Sequence, residues 1–196
     1  MDKPQVKNRK KQALDTKKRI YDASVMLMEQ KGFYDMKVSD ICKVAGVSVG
    51  SFYHYFDSKS DILVEIYKSA DEYFQNVVEK DLNEKSIEEN IARFFWHYGK
   101  YNEMTGLENV KQLYNPNNMM FTTKGRYMQK VLIDLISDAQ KRNELITDIN
   151  AEDMNEYLFV AARGVIFDWS IRNGSYDLKE YSREYFLRLV KIFTVK

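Results

Sequence analysis

Apolar residues recur at spacings of three and four over most of the chain, and no stretch sustains the alternation of a half-buried strand. Ile20, Ala23 and Leu27 mark one face of a helix over about 16–31, which Gly32 should stop. Val38, Ile41 and Ala45 predict a short helix over 38–45. Gly46 to Ser48 read as a tight turn, and a third helix covers about 50–56. After Asp57 and Ser58, a longer helix reaches about Lys80, with Ser58 and Asp61 spaced like a short capping box. Further helical patterns cover 86–101, 107–114, 122–142, 151–173 and 178–195. Asn-Pro-Asn-Asn (115–118), the polar stretch 143–150 and Asn173-Gly174 separate them. The expectation is an all-α chain of about nine helices. It divides into a flexible basic arm (1–13), a three-helix head (14–60) and a helical bundle (61–196).

A hydrophobic content of 44% is too high for a disordered chain. The longest unbroken apolar run, 157–162, is far too short to span a bilayer. The polar, lysine-rich beginning has no apolar stretch behind it and does not read as a secretory signal. With Cys42 as the single cysteine, neither an internal disulfide nor a multi-cysteine metal site is open to the chain. Cys42 reads as a buried small residue rather than a redox sensor. A cytoplasmic protein without metal or cofactor is expected. The two histidines, His54 and His97, lack metal-ligand partners at useful spacing, and no phosphate loop or nucleophile elbow is present, which argues against an enzyme.

The net charge of +1 conceals an asymmetry: residues 1–60 hold 12 basic and 7 acidic residues, and the remainder 18 and 22. A basic head on a mildly acidic body points to a polyanion as partner of the head.

The stretch 38–59, VSDICKVAGVSVGSFYHYFDSK, has the helix-turn-helix pattern, with glycine in its turn. Val47, Phe52 and Phe56 should pin the third helix against Ile20 and Ile41. Val49, Gly50, Ser51, Tyr53, His54 and Tyr55 are left facing outward. That face is small, hydrogen-bonding and free of acid, as suits a helix entering the major groove.

The segment resembles the TetR family of bacterial regulators. Thr16, Ile20, Ala23, Ser24, Leu27 and Gly32 match its leading helix. Asp40, Ile41, Cys42, Ala45, Gly46, Val47, Ser48, Gly50, Tyr53, Tyr55, Phe56, Ser58 and Lys59 match its DNA-binding signature. The strong resemblance covers about 16–67, and weaker similarity to the family's last two helices lies at 164–169 and 174–178. It implies base or phosphate contacts from Ser48, Val49, Gly50 and Ser51, phosphate contacts from Tyr53 and Tyr55, and a groove-facing His54. It further implies a phosphate-binding Lys59 and a phosphate held at the start of the first helix by Thr16 and Lys17. Two departures stand out. Lys37 occupies the usual Ser/Thr cap position of the second helix, which Ser39 would then cap, and Ser39 itself replaces a frequent arginine.

Beyond the head, Tyr, Phe and Met are abundant, fitting either plain core or an effector pocket. The resemblance implies such a pocket for a small hydrophobic or aromatic effector, with Phe95, Tyr98, Met104, Tyr114, Met128, Phe159 and Arg163 as candidate lining. His97, Tyr101 and Arg126 are further polar candidates. Arg163, set in an apolar run, needs either an acidic neighbour such as Asp168 or Asp134 or a ligand anion. The resemblance also implies a homodimer built from the last two helices, with Leu158, Ala162, Val165, Trp169, Tyr185, Leu189 and Phe193 at the interface. A twofold dimer would bind a near-palindromic operator in double-stranded DNA. The expected function is a ligand-responsive repressor in which an effector shifts the fourth helix. An activator of the same fold, or a helical ligand-binding protein without DNA function, is the alternative.

Overall fold

The computed structural model describes residues 3–114, 121 and 125–195. Among these the chain is all-α, with one isolated antiparallel bridge between Leu145 and Thr194. The chain divides into two compact units, 1–67 and 68–196. The division falls inside the helix Asp61–Tyr73, later than the boundary at 60 that the sequence pattern places.

In the first unit, α1 runs Lys3–Asp35. The segment expected to be an arm is therefore helical from Lys3. Pro4 sits in the first turn, where its missing N–H is harmless, and no glycine or proline follows until Gly32. Ile20, Ala23, Ser24, Leu27 and Met28 form the buried stripe. Gly32, at φ 79°, interrupts the helix and lets Phe33 and Met36 turn inward. In α2 (Val38–Ala45) the cap is neither Ser39 nor Lys37's own side chain: the Asp40 carboxylate accepts the Lys37 N–H at 3.4 Å. Gly46, left-handed at φ 65°, ends α2. Helix α3 (Val49–Tyr55) follows at once, capped by Ser48 Oγ accepting the Ser51 N–H at 3.1 Å. Phe52 and Phe56 are buried beneath it. At the entry to α4 (Asp61–Tyr73), the Asp61 carboxylate accepts the N–H groups of Asp57 and Ser58, the pairing that the spacing of Ser58 and Asp61 predicts.

In the second unit the rod begun by α4 passes through a π-helical turn, Phe74–Val78, into α5 (Glu79–Asp81). Helices α6 (Ile87–Thr105), α7 (Leu107–Leu113), α8 (Tyr127–Lys141), α9 (Ala151–Ile171) and α10 (Leu178–Leu189) follow, with a 3-10 turn at Val190–Ile192. Counting α4 to α5 as one rod, the described residues hold nine helices. Helices α6 and α10 lie so close that a Cβ on Gly99 would come within 2.9 Å of the Leu178 carbonyl oxygen. An aromatic core fills the bundle, with Phe95 and Phe186 stacked at 3.6 Å between ring centroids. The 143–150 connection is held by the Gln140 amide, which donates to the carbonyls of Ile146 and Ile149 at 2.7 and 2.8 Å.

Candidate nucleic-acid interface

A polar groove of about 550 Å³ lies between α1 and α3 of the first unit, lined by Gln12, Ala13, Thr16, Ser48, Gly50, Ser51, His54 and Tyr55. Six of these residues are sequence-predicted DNA contacts, brought together from two helices. Gln12 and Ala13 join them only because α1 extends further towards the N-terminus than its apolar stripe predicts. Val49 and Tyr53 are about half exposed on the same short helix, and Ser39 is exposed on α2. Sterics keep this surface low. A Cβ on Gly50 would meet only Ser48 Oγ at 3.8 Å, so the residue's smallness is not imposed by the protein's own packing.

Three expected phosphate contacts are otherwise engaged. Thr16 lies inside α1, and its hydroxyl donates to the Gln12 carbonyl at 2.8 Å, so no free helix N-terminus exists there. Lys17 pairs with Glu65 at 2.7 Å and lies 5.6 Å from the Phe56 ring centroid. The Lys59 ammonium donates to the carbonyls of Phe33, Tyr34 and Met36 at 2.6, 3.2 and 3.1 Å. Spacing placed these side chains correctly along the chain but carried no information on which partners they take inside the unit. Cys42 is buried with its thiol aimed at the Ser48 carbonyl at 3.7 Å, and burial raises its pKa, so the thiolate is disfavoured.

In the bundle, Phe95, Tyr98 and Phe159 meet ring against ring, and the Tyr98 hydroxyl bonds to that of Tyr114 at 2.7 Å. Burial pushes the Tyr98 phenol up, while the Tyr114 bond and the charges of Arg126 and Arg163 oppose this. Met128 is buried in the same core. Met104 is not part of it: it is 65% exposed on the outer side of α6. Arg163 takes an acidic neighbour, but that neighbour is Glu156 at 2.6 Å, one heptad back along α9. Asp168 pairs with Arg172 instead, and Asp134 with Lys130. Met119 and Met120, in the apolar stretch after the Asn-Pro-Asn-Asn breaker, lie outside the described residues.

Of the residues expected at a dimer face, Leu158, Ala162, Val165, Trp169 and Phe193 are buried in the bundle's own core. What α9 exposes is Tyr157, Val160, Gly164, Phe167 and Ile171, spaced 3, 4, 3 and 4 as in a heptad stripe. On α10, Tyr185 and Leu189 do line an open groove of about 620 Å³, with Tyr181, Glu184, Arg188 and Ile192. Helix α9 is apolar on two sides, and periodicity alone does not say which side faces inward.

A polar chain centred on buried His97 lies in the second unit. His97 accepts from or donates to Tyr73 through Nδ1 at 2.7 Å and meets the Asp81 carboxylate through Nε2 at 2.8 Å. It thereby bridges the two ends of the π-helical turn. Arg93 completes the chain with a 2.7 Å bond to the same carboxylate. Burial lowers the His97 pKa, and the bond from His97 holds the Asp81 carboxyl low. Among the described residues no group of three His, Cys, Asp or Glu side chains is placed to hold a metal ion, and no helix is long and apolar enough to cross a membrane.

Residues 20–66 match the model of the bacterial regulatory proteins of the tetR family. The fatty acid metabolism regulator protein of Bacillus subtilis (strain 168) is 26% identical over 166 residues, covering 81% of this chain and 86% of its own length. Over residues 20–66 the chain is thus similar to the TetR family of regulators. A second relative is AcrR of Shigella flexneri, 22% identical across 94% of the chain and 92% of the relative. Among solved structures the same fold is seen in FadR of Bacillus subtilis, crystallised in complex with stearoyl-CoA. Its TM-score is 0.74 and its identity 24%, over 88% of this chain and 96% of that one. FadR of Bacillus halodurans shares the fold at a TM-score of 0.71 and 21% identity, over 88% and 94%.

Proposed function

We propose that the protein is a homodimeric, effector-released repressor of the TetR type that reads a near-palindromic operator through the α3 face. The observation that carries the reading is the α1–α3 groove, where Ser48, Gly50, Ser51, His54 and Tyr55 form a shallow, acid-free surface. Val49 and Tyr53 extend it, and Ser39 lies on the helix before it. The Ser51 N–H is already occupied by its cap, so the contacts fall to hydroxyls, the imidazole and close backbone approach. A mobility-shift assay with the DNA flanking its own gene, in rising salt, tests this. Retention that weakens steeply with salt is expected. No retention at low ionic strength would refute it.

The second copy docks on the outer stripe of α9 (Tyr157, Val160, Gly164, Phe167, Ile171) and the α10 groove. Small Gly164 at the centre of the stripe admits close approach, since a Cβ there would meet nothing within 4 Å. Phe167→Asp should convert the dimer to a monomer in sedimentation, and an unchanged dimer would exclude this face. The effector belongs among the side chains of Phe95, Tyr98, Phe159 and Met128, with the Tyr98–Tyr114 hydroxyl pair as its polar contact. These side chains fill one another's space, so a ligand entering between them repacks the core. Acyl-CoA thioesters head the panel to be screened, because a relative with the same fold was crystallised with stearoyl-CoA. Coupling of about 1–3 kcal/mol between effector and operator is the usual scale for such a switch. No other compartment than the cytoplasm suits a protein that must meet DNA in a bacterium.

A further inference from the structure

We infer that Asn155 sets effector specificity: its side-chain oxygen accepts a hydrogen bond from an N–H or O–H group carried on the effector's apolar or aromatic body. Asn155 is 4% exposed on α9, and its Oδ1 has no hydrogen-bond partner among the described residues. Other buried polar side chains of the second unit are served from within it. His97 bonds to Tyr73 and Asp81, the Asn102 amide donates to the Tyr98 carbonyl, and the Ser170 hydroxyl donates to the Phe167 carbonyl. An amide oxygen buried without a donor is costly in an apolar interior, and such a group calls for an explanation.

The surroundings of Asn155 suit the body of a ligand. Asn155, Phe159, Ala162 and Ile166 recur at spacings of four, three and four along one buried face of α9. Phe159, one turn on from Asn155, meets the rings of Phe94, Phe95 and Tyr98. The Tyr98 and Tyr114 hydroxyls satisfy one another at 2.7 Å, whereas the Asn155 oxygen is an open acceptor on this face. A carboxylate, ether or ester oxygen brings no proton to it; an amide, an indole-type N–H or a hydroxyl does. The oxygen leaves water when the chain folds, so a donor arriving later gains the bond without that desolvation cost.

This rests on the reading that the effector enters the aromatic core, and the test lets the two fail separately. The probes are carbazole and fluorene, rigid planar molecules of one shape in which an N–H stands in place of a CH2. Each is titrated by its fluorescence into the full wild-type chain and into Asn155→Leu, whose side chain is apolar and of similar volume. Wild type should hold carbazole roughly tenfold more tightly than fluorene, and Asn155→Leu should hold both with the affinity of fluorene. Without ligand the variant should melt about 2–4 °C above wild type, because an unpaired buried amide has been removed. Equal binding of the two probes by wild type overturns the role of Asn155 and leaves the core as the effector site. Combined with a lower melting point of the variant, it makes the residue structural, its oxygen served by an internal water. A preference for carbazole that survives in Asn155→Leu places the acceptor elsewhere and also overturns the inference. Should Asn155→Leu not fold, the wild-type side-chain amide is followed by nitrogen-15 NMR. A shift of the Asn155 signals with carbazole and not with fluorene is expected, and signals unmoved by carbazole contradict the contact. If neither probe binds wild type, the core admits no such body, and the reading falls together with this role for Asn155.

Discussion

The two units of the protein place their polar side chains for different ends. In residues 1–67 the outward surface of α3 is small and uncharged, while Lys17 and Lys59 turn back to bond within the unit. In residues 68–196 polar groups are taken into the interior: His97 is 3% exposed and is held between Tyr73 and Asp81. The head thus uses charge to set geometry and leaves a plain surface for a partner. The bundle combines an aromatic core with a hydrogen-bonded chain centred on buried His97, the kind of interior whose repacking has discrete alternatives.

This contrast is sharpest in truncation experiments. Phe95→Ala removes a fully buried ring stacked on Phe186, and a loss of about 3–5 kcal/mol is expected in denaturant unfolding of the full chain. Tyr53→Ala, on the half-exposed face of α3, should stay within about 0.5 kcal/mol of wild type while weakening DNA retention. Equal destabilisation by both would erase the distinction between interior and reading surface.

Ser48→Ala deletes the cap of α3, whose Oγ accepts the Ser51 N–H at 3.1 Å, and should cost about 1 kcal/mol of stability in the head. Amide exchange is the direct readout. Faster exchange confined to the residues of α3 is expected, and spread of the effect through the bundle would count against two separately held units.

The smallest effect is on pH dependence. Burial keeps the folded His97 pKa below its ordinary value of 6.5, so the unfolded chain takes up a proton there before the folded one does. This part of the stability is therefore full above the ordinary histidine value and is lost as pH falls below it. Asp81, held below its ordinary 3.8, adds a second loss at lower pH. His97→Gln should flatten the first decline in thermal midpoints; an unchanged profile would assign it to other groups.

Much of the architecture was legible because short helices leave little choice. With Phe52 and Phe56 inward, the remaining side of α3 has to face out, and Gly46 fixes where the turn falls. The extension of α1 was not legible from apolar periodicity, because 5–13 carry almost no apolar residues and only helix propensity speaks for them. Helix α9 was ambiguous for the opposite reason. With apolar residues on two sides, periodicity does not say that Leu158 and Trp169 face inward while Tyr157 and Phe167 face out. The inward bonds of Lys17 and Lys59 depend on Glu65 and on carbonyls 23 or more residues away, which no local pattern contains.

The most direct test of the central claim is Gly50→Leu, titrated with the retained flanking duplex beside wild type. Gly50 has room for a side chain within the protein, and leucine favours helix over glycine by about 0.8 kcal/mol, so the variant should fold at least as well as wild type. If the α3 face lies against DNA, the added side chain blocks close approach and binding should fall at least a hundredfold. A well-folded Gly50→Leu that binds the duplex with wild-type affinity would contradict the account.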